Sequence, residues 1–123
     1  MAVKRVLVVD DSDADQFIAR MVISEVAPGV EVVQARDGQQ ALQILAEQTP
    51  ESFGLILLDV NMPRMDGYGF LEAYSADGRT APVVVMLTSS NQTEDRRRTQ
   101  AFACVTGYQV KPLSPDWVAQ TFT

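Results

Sequence analysis

The sequence contains no histidine and a single cysteine, Cys104. The absence of histidine excludes imidazole-based catalysis and histidine metal ligation, and one thiol can form neither an internal disulfide nor a zinc cluster. A lone cysteine is also typical of a reducing compartment. The chemical groups that remain are carboxylates, hydroxyls, amides and amines. Any metal site in this chain would therefore use oxygen ligands.

Long apolar segments are also absent. The longest apolar run, residues 83–87, is far shorter than the roughly 20 residues of a membrane-spanning helix. Residues 1–9 have neither the apolar region nor the cleavage site of a signal peptide. The formal net charge of -6 disfavours duplex DNA and anionic membranes as general partners. We therefore expect a cytoplasmic protein that binds neither nucleic acid nor membrane.

The length and composition are those of one globular domain. The chain has 123 residues, of which 46% are hydrophobic and 21% are charged. This composition supports a buried core, and the length leaves little room for a second domain or a long linker. We therefore expect a single domain over residues 1–123.

Five short apolar runs alternate with segments of helical character. The runs cover residues 6–9, 30–35, 55–59, 83–87 and 105–110. Apolar runs without alternation are typical of strands buried on both faces, and strands that alternate with helices predict a three-layer α/β fold with a parallel sheet.

Helix starts and apolar faces follow from capping signals and periodicity. The predicted helices begin at Ser12, at 39, at Asp66-Gly67, at Asn91 and at Ser114-Pro115, and the fourth is expected to run to about Ala103. Ser12 and Asp15 have the spacing of a capping box. The predicted apolar face of the first helix comprises Phe17, Ile18, Met21, Val22 and Val26.

Polar side chains that could bind a ligand or take part in a reaction follow the predicted strands. They are Asp10, Asp11, Asp59, Thr88 and Lys111. Each alone has an ordinary explanation as a helix cap or a surface residue. In a parallel sheet of strand order 2-1-3-4-5, however, all lie on one edge, and the three aspartates converge between neighbouring strands. Three carboxylates repel one another unless a cation joins them, and a hard cation such as Mg²⁺ prefers oxygen ligands. With an ammonium and a hydroxyl nearby, the edge is suited to phosphoryl transfer.

In their order and spacing, four segments resemble the receiver domain of two-component response regulators, the CheY-like family. They read VLVVDDS, LILLDVNMPRMDG, VVVMLTSS and GYQVKPL, and the resemblance covers nearly the whole chain. It implies a doubly wound, flavodoxin-like (βα)5 fold with strand order 2-1-3-4-5. It also implies a signalling protein with no separate turnover substrate.

The resemblance assigns roles to individual residues. Asp59 would accept a phosphoryl group from a phosphohistidine of a sensor histidine kinase or a phosphotransfer protein. Mg²⁺ would be bound by Asp11 and Asp59, by the backbone carbonyl of Asn61 and, through water, by Asp10. Lys111 and Thr88 would bind the phosphoryl oxygens.

A conformational switch is also implied. Thr88 would move toward the phosphoryl group and Tyr108 would turn inward, which would change the face formed by the fourth helix, the fifth strand and the fifth helix. Tyr108 is equally consistent with plain aromatic packing. The downstream target is unknown, and the expected oligomeric state is a monomer or a weak dimer.

Two further functions remain open from the sequence. An aspartate-nucleophile phosphatase also places an aspartate after a buried strand, but it needs a second aspartate two residues later, where this chain has Asn61. A pseudo-receiver that only scaffolds would not need the five polar residues at the strand ends. Two features depart from the family pattern, namely Ser89 where alanine is common and a short last helix. The chain also resembles a stand-alone receiver without an output domain.

Overall fold

The computed structural model describes residues 3–47, 53–59, 67–76, 83–88 and 101–122. The elements in these ranges are β1 (Arg5–Val9), α1 (Asp13–Val26), β2 (Glu31–Ala35), α2 (Gly38–Glu47), β3 (Leu55–Asp59), α3 (Gly67–Ala76), β4 (Val83–Thr88), β5 (Val105–Val110) and α4 (Pro115–Phe122). Residues 91–100 of the predicted fourth helix lie outside the described residues, and residues 101–104 form turns.

The five strands form one parallel sheet in the order β2-β1-β3-β4-β5, which confirms the predicted fold. Val9, at the end of β1, lies beside both Ala35 and Leu58 in the strand register. Thr88, at the end of β4, lies beside Val110. Because the strands are parallel and nearly level, the residues that follow them meet at one edge of the sheet.

Side chains of alternate strand residues pack into two apolar layers, one on each face of the sheet, as the pleat of a strand requires. One layer joins Leu7, Ile56 and Met86 to residues of α2 and α3. The other joins Val8, Leu57 and Leu87 to residues of α1 and α4. The first four residues of β3, Leu55 to Leu58, are all buried, as the apolar run predicted.

Helix α1 is rotated relative to the apolar face predicted for it. Phe17 and Met21 are exposed, with relative accessibilities of 58% and 42%, so the prediction was wrong for these two residues. The helix instead buries Ala19, Val22 and Ile23, together with the polar Gln16. The physical reason is the Gln16 side chain, whose amide is hydrogen-bonded beneath the helix to backbone carbonyls at the strand ends.

Helix starts use the polar residues that the sequence indicated. Ser12 caps α1, and its Oγ accepts a hydrogen bond from the Asp15 backbone N–H at 3.2 Å. Ser114 Oγ accepts a hydrogen bond from the Trp117 N–H at 3.3 Å at the start of α4. Among the described residues, no helix is both long enough and apolar enough to cross a bilayer.

Candidate functional site

Three aspartates meet at the carboxyl edge of the sheet. Asp10 and Asp11 follow β1, and Asp59 is the last residue of the neighbouring strand β3. One carboxylate oxygen from each lies within 4.8 Å of the other two. Asp10 and Asp59 are buried, whereas Asp11 is exposed. The structure therefore brings together the three carboxylates that the strand ends predicted, with one side open to solvent.

The backbone around Asp10 holds its carboxylate in place. The Asp10 N–H donates a hydrogen bond to the Ala35 carbonyl oxygen at 3.0 Å, which extends the ladder between β1 and β2. The Ser12 N–H donates to Asp10 Oδ1 at 2.9 Å. The other carboxylate oxygen of Asp10, Oδ2, is the one that contacts Lys111. Only half of the predicted capping box forms, because the Ser12 N–H binds Asp10 instead of the Asp15 carboxylate.

Lys111 places its ammonium among these carboxylates. Its backbone N–H donates to the Thr88 carbonyl oxygen at 2.8 Å, which ties the end of β5 to the end of β4. Its Nζ lies 2.7 Å from Asp10 Oδ2 and 3.4 Å from Asp59 Oδ1. The ammonium therefore offsets part of the mutual repulsion of the aspartates.

The surroundings of Lys111 change its pKa in two opposing ways. Burial lowers the pKa of the ammonium, because a charge loses hydration in a less polar environment. Hydrogen bonds from Lys111 to Asp10 and Asp15, and the charges of Asp10 and Asp59, raise it by more. The net pKa of Lys111 is above its ordinary value, so the side chain is a fixed positive charge at neutral pH.

Two residues at the site carry a role that the sequence did not reveal. The sequence predicts only a place in a capping box for Asp15, yet its Oδ2 accepts a hydrogen bond from Lys111 Nζ at 2.8 Å. Its place in the first turn of α1, just after the aspartates that follow β1, is the signal that could have placed it at the same edge. Gln16 was not singled out, and nothing in its spacing marks it. It is buried, and its Nε2 donates to the carbonyl oxygens of Val8, Asp10 and Ala35 at 2.9–3.1 Å.

The other predicted site residues have different outcomes. Thr88 is the buried last residue of β4, at the same edge as the aspartates. Tyr108 lies in β5 beside Met86, half-buried against the apolar layer formed with α2 and α3. Asn61 and Ser89 lie outside the described residues.

The donor set fits a hard divalent cation. Asp10, Asp11 and Asp59 offer only oxygen, and their ligand atoms are close enough together for one ion to contact more than one of them. Mg²⁺ is commonly held by one or two carboxylates together with water and phosphate oxygens, so a partly open cluster suits it better than a closed cage would. Lys111 adds a positive charge at this edge that can pair with a phosphate oxygen.

Comparisons with known proteins agree with this geometry. The family model of the response regulator receiver domain matches residues 6–122. A probable transcriptional regulator, ycf27, of Cyanophora paradoxa is 37% identical over 119 residues, which are 91% of this chain and 44% of that protein. A protein-glutamate methylesterase/protein-glutamine glutaminase of Myxococcus xanthus is 42% identical over 91 residues, which are 73% of this chain and 25% of that protein. The chain thus spans less than half of these relatives.

Solved structures show the same fold at similar length. Chemotaxis protein CheY4 of Vibrio cholerae superposes with a TM-score of 0.81 at 31% identity, over 97% of this chain and 95% of that one. The phosphorylated cyanobacterial phytochrome response regulator RcpA superposes with a TM-score of 0.78 at 27% identity, over 97% and 88% of the two chains. The strand order and the acidic edge of the sheet agree with these similarities. The chain therefore belongs to the response regulator receiver domain family, whose members are phosphoacceptors in two-component signalling.

Proposed function

We propose that Asp59 is the phosphoacceptor of this receiver domain and that it takes its phosphoryl group from a phosphohistidine of a sensor histidine kinase or a phosphotransfer protein. The observation that carries the proposal is the position of Asp59. Its carboxylate is buried at a strand end, within 4.8 Å of two other carboxylates, and one of its oxygens lies 3.4 Å from Lys111 Nζ. The phosphohistidine must lie outside these 123 residues, since they contain no histidine.

The chemistry is a substitution at phosphorus. A carboxylate oxygen of Asp59 forms the new P–O bond, the P–N bond to the donor imidazole breaks, and the nitrogen leaves with the electron pair. Asp59 attacks as a carboxylate, so no general base is needed, and the residues around it act by position and charge. Water later attacks the acyl phosphate and releases inorganic phosphate, which restores the aspartate.

Asp11 and Asp59, the backbone carbonyl of Asn61 and, through water, Asp10 are the proposed Mg²⁺ ligands. Bound there, the ion would supply positive charge to neutralise the phosphoryl oxygens. Lys111 would supply a second positive charge, and the Thr88 hydroxyl would donate a hydrogen bond to a phosphoryl oxygen. The fold holds the described members of this set, Asp10, Asp11, Asp59, Thr88 and Lys111, at one edge of the sheet, so we expect little reorganisation during transfer.

The proposed output of this domain is a conformational change in the surface that includes β5 and α4. Thr88 would turn toward the phosphoryl group, and Tyr108, two residues before Val110 in the adjacent strand, would move into the space this opens. The face that includes β5 and α4 would then bind a protein target or relay the phosphoryl group. The domain acts through its own phosphorylation and dephosphorylation and turns over no separate substrate.

The test is intact mass measurement after incubation with acetyl phosphate, once with Mg²⁺ and once with a chelator. We expect a Mg²⁺-dependent gain of one phosphoryl group, which peptide mapping places on Asp59. Asp59→Asn should show no gain and should remain folded, because the nucleophile is lost while the shape is kept. Asp13→Asn is a matched control, since it removes an exposed aspartate whose partner is Arg36.

Other outcomes would point elsewhere. Unchanged phosphorylation of Asp59→Asn would refute the assignment of the acceptor. Steady release of phosphate from a phosphomonoester, lost in Asp59→Asn, would identify an aspartate-nucleophile phosphatase instead. A folded wild-type protein that is not phosphorylated, either by acetyl phosphate or by a phosphorylated phosphotransfer domain, would favour a scaffold that does not depend on phosphorylation.

A further inference from the structure

We propose that Asp15 is a positioning residue that holds Lys111 in the resting site and competes with the incoming phosphoryl group for its ammonium. This inference rests on the proposed function, because it concerns how readily Asp59 is phosphorylated. Asp15 lies on helix α1, outside the cluster of three carboxylates suited to a cation. Its role would therefore be carried entirely by its contact with Lys111.

The ammonium of Lys111 contacts three carboxylates in the resting structure. It lies 2.7 Å from Asp10 Oδ2, 2.8 Å from Asp15 Oδ2 and 3.4 Å from Asp59 Oδ1. Two of its three N–H donors are hydrogen-bonded to Asp10 and Asp15, and Asp59 Oδ1 lies at ion-pair distance. A phosphoryl oxygen on Asp59 that draws the ammonium toward it lengthens these two hydrogen bonds.

Asp15 is the contact that is easiest to give up. Its side chain is 36% exposed, against 2% for Asp10 and 9% for Asp59, so water can replace the ammonium as its partner. Asp10 is buried and would be left as an uncompensated charge, which is costly. Asp59 itself carries the phosphoryl group. Exchange of Asp15 for a phosphoryl oxygen thus frees a donor at the lowest cost in hydration.

The apolar surroundings strengthen the ion pair between Asp15 and Lys111. Asp15 and Lys111 line a small crevice whose other walls include the apolar side chains of Ile18, Leu87 and Leu113. Apolar walls reduce the screening of the charges by water, so the pair is stronger than a fully exposed ion pair. The contact also joins α1 to the residue after β5, two parts of the chain that are 96 residues apart.

The experiment compares Asp15→Asn with Asp13→Asn. Both substitutions remove one negative charge from the first turn of α1, but Asp13 pairs with Arg36 and Asp15 with Lys111. The readouts are the rate constant for phosphorylation by phosphoramidate with Mg²⁺, followed by intact mass, and the affinity for beryllofluoride, an analogue of the phosphoryl group. Asp15→Glu serves as the conservative variant that keeps a competing carboxylate.

We expect Asp15→Asn to raise the rate constant and the beryllofluoride affinity about two- to fivefold above those of Asp13→Asn, the range that a partly exposed ion pair supports. Asp15→Glu should return both values toward those of the wild type. A purely structural role in α1 would instead lower the urea midpoint of Asp15→Asn and leave both readouts equal to those of Asp13→Asn.

Two results would overturn the inference while leaving the proposed function intact. One is a wild-type protein that is phosphorylated on Asp59, together with equal values for Asp15→Asn and Asp13→Asn. The other is a lower rate constant in Asp15→Asn, which would show that Asp15 assists Lys111 and does not compete for it. A wild-type protein that takes up no phosphoryl group from any donor would refute the proposed function itself.

Discussion

Gln16 Nε2 lies 2.9 Å from the carbonyl oxygen of Ala35, so a side chain of helix α1 is hydrogen-bonded to the last residue of edge strand β2. The same amide also reaches the carbonyl oxygens of Val8 and Asp10. One buried side chain therefore sets the rotation of α1 on the sheet and holds the backbone that leads to the acidic cluster.

Replacement of Gln16 by leucine should destabilise the protein. The substitution keeps much of the side-chain volume but removes the amide that donates to the carbonyl oxygens of Val8 and Asp10. Loss of that donor costs about 1–3 kcal/mol, although the Ala35 carbonyl keeps the Asp10 N–H. Urea unfolding should report a lower free energy of unfolding for Gln16→Leu, whereas Gln39→Leu, at an exposed position of α2, should stay close to the wild type. Equal midpoints for the two variants would show that the buried amide contributes nothing.

Replacement of Lys111 by methionine should strengthen the response to Mg²⁺. Without the ammonium, Asp10 and Asp59 repel each other without compensation, and the cation no longer competes with Lys111 for their oxygens. We expect a lower Tm than that of the wild type in chelator and a larger rise in Tm on addition of Mg²⁺. Lys4→Met, at an exposed position, is the matched control. A smaller rise in Lys111→Met than in the wild type would contradict this account.

The raised pKa of Lys111 predicts how its stabilising effect depends on pH. A raised pKa means that folding favours the charged form, so the contribution is complete below the ordinary value of 10.5 and is lost as the pH rises through the folded-state value. The difference in unfolding free energy between wild type and Lys111→Met, measured in chelator, should stay constant from about pH 7 to about pH 10 and then shrink. A difference that already fell between neutral pH and about pH 9 would mean that the ammonium is not held by the carboxylates.

The rotation of α1 predicts opposite results for two apolar residues of the same helix. Phe17 is 58% exposed, and its replacement by alanine should change the free energy of unfolding by about 0.5 kcal/mol or less. Ile23 is fully buried, and Ile23→Ala should cost about 2–5 kcal/mol because it leaves a cavity. Urea unfolding of the two variants measures both values. A large loss in Phe17→Ala would show that the face predicted from periodicity is the one that packs.

The sequence was most informative for strands that are buried on both faces of the sheet, because such strands read as uninterrupted apolar runs. The apolar run from Leu55 to Leu58 predicted a central strand, and the change to Asp59 predicted the residue at its end. Strand ends in a parallel sheet meet at one edge, so the convergence of Asp10, Asp11 and Asp59 followed from topology. These predictions needed only the spacing of residues along the chain.

The rest depends on contacts that spacing does not encode. Periodicity could not place Gln16 in the core, because a polar residue counts against burial until its hydrogen-bond partners are known. Gln16 therefore takes a buried position in α1, whereas Phe17 and Met21 are exposed and Val22 is buried as predicted. Asp15 has a local explanation in the cap of α1, which hid its contact with Lys111, a residue remote in the chain.

Strand β5 is at the edge of the sheet, and the residue that follows it supplies the ammonium of the site. Binding to the site and the closing of this edge strand are therefore linked equilibria, because opening of β5 would carry Lys111 away from Asp10 and Asp59. A ligand that binds Lys111 should slow amide hydrogen exchange along β5 more than along β1. We expect this although two of the three carboxylates, Asp10 and Asp11, follow β1. The edge strand is thus the part of the sheet whose local stability reports on occupancy of the site.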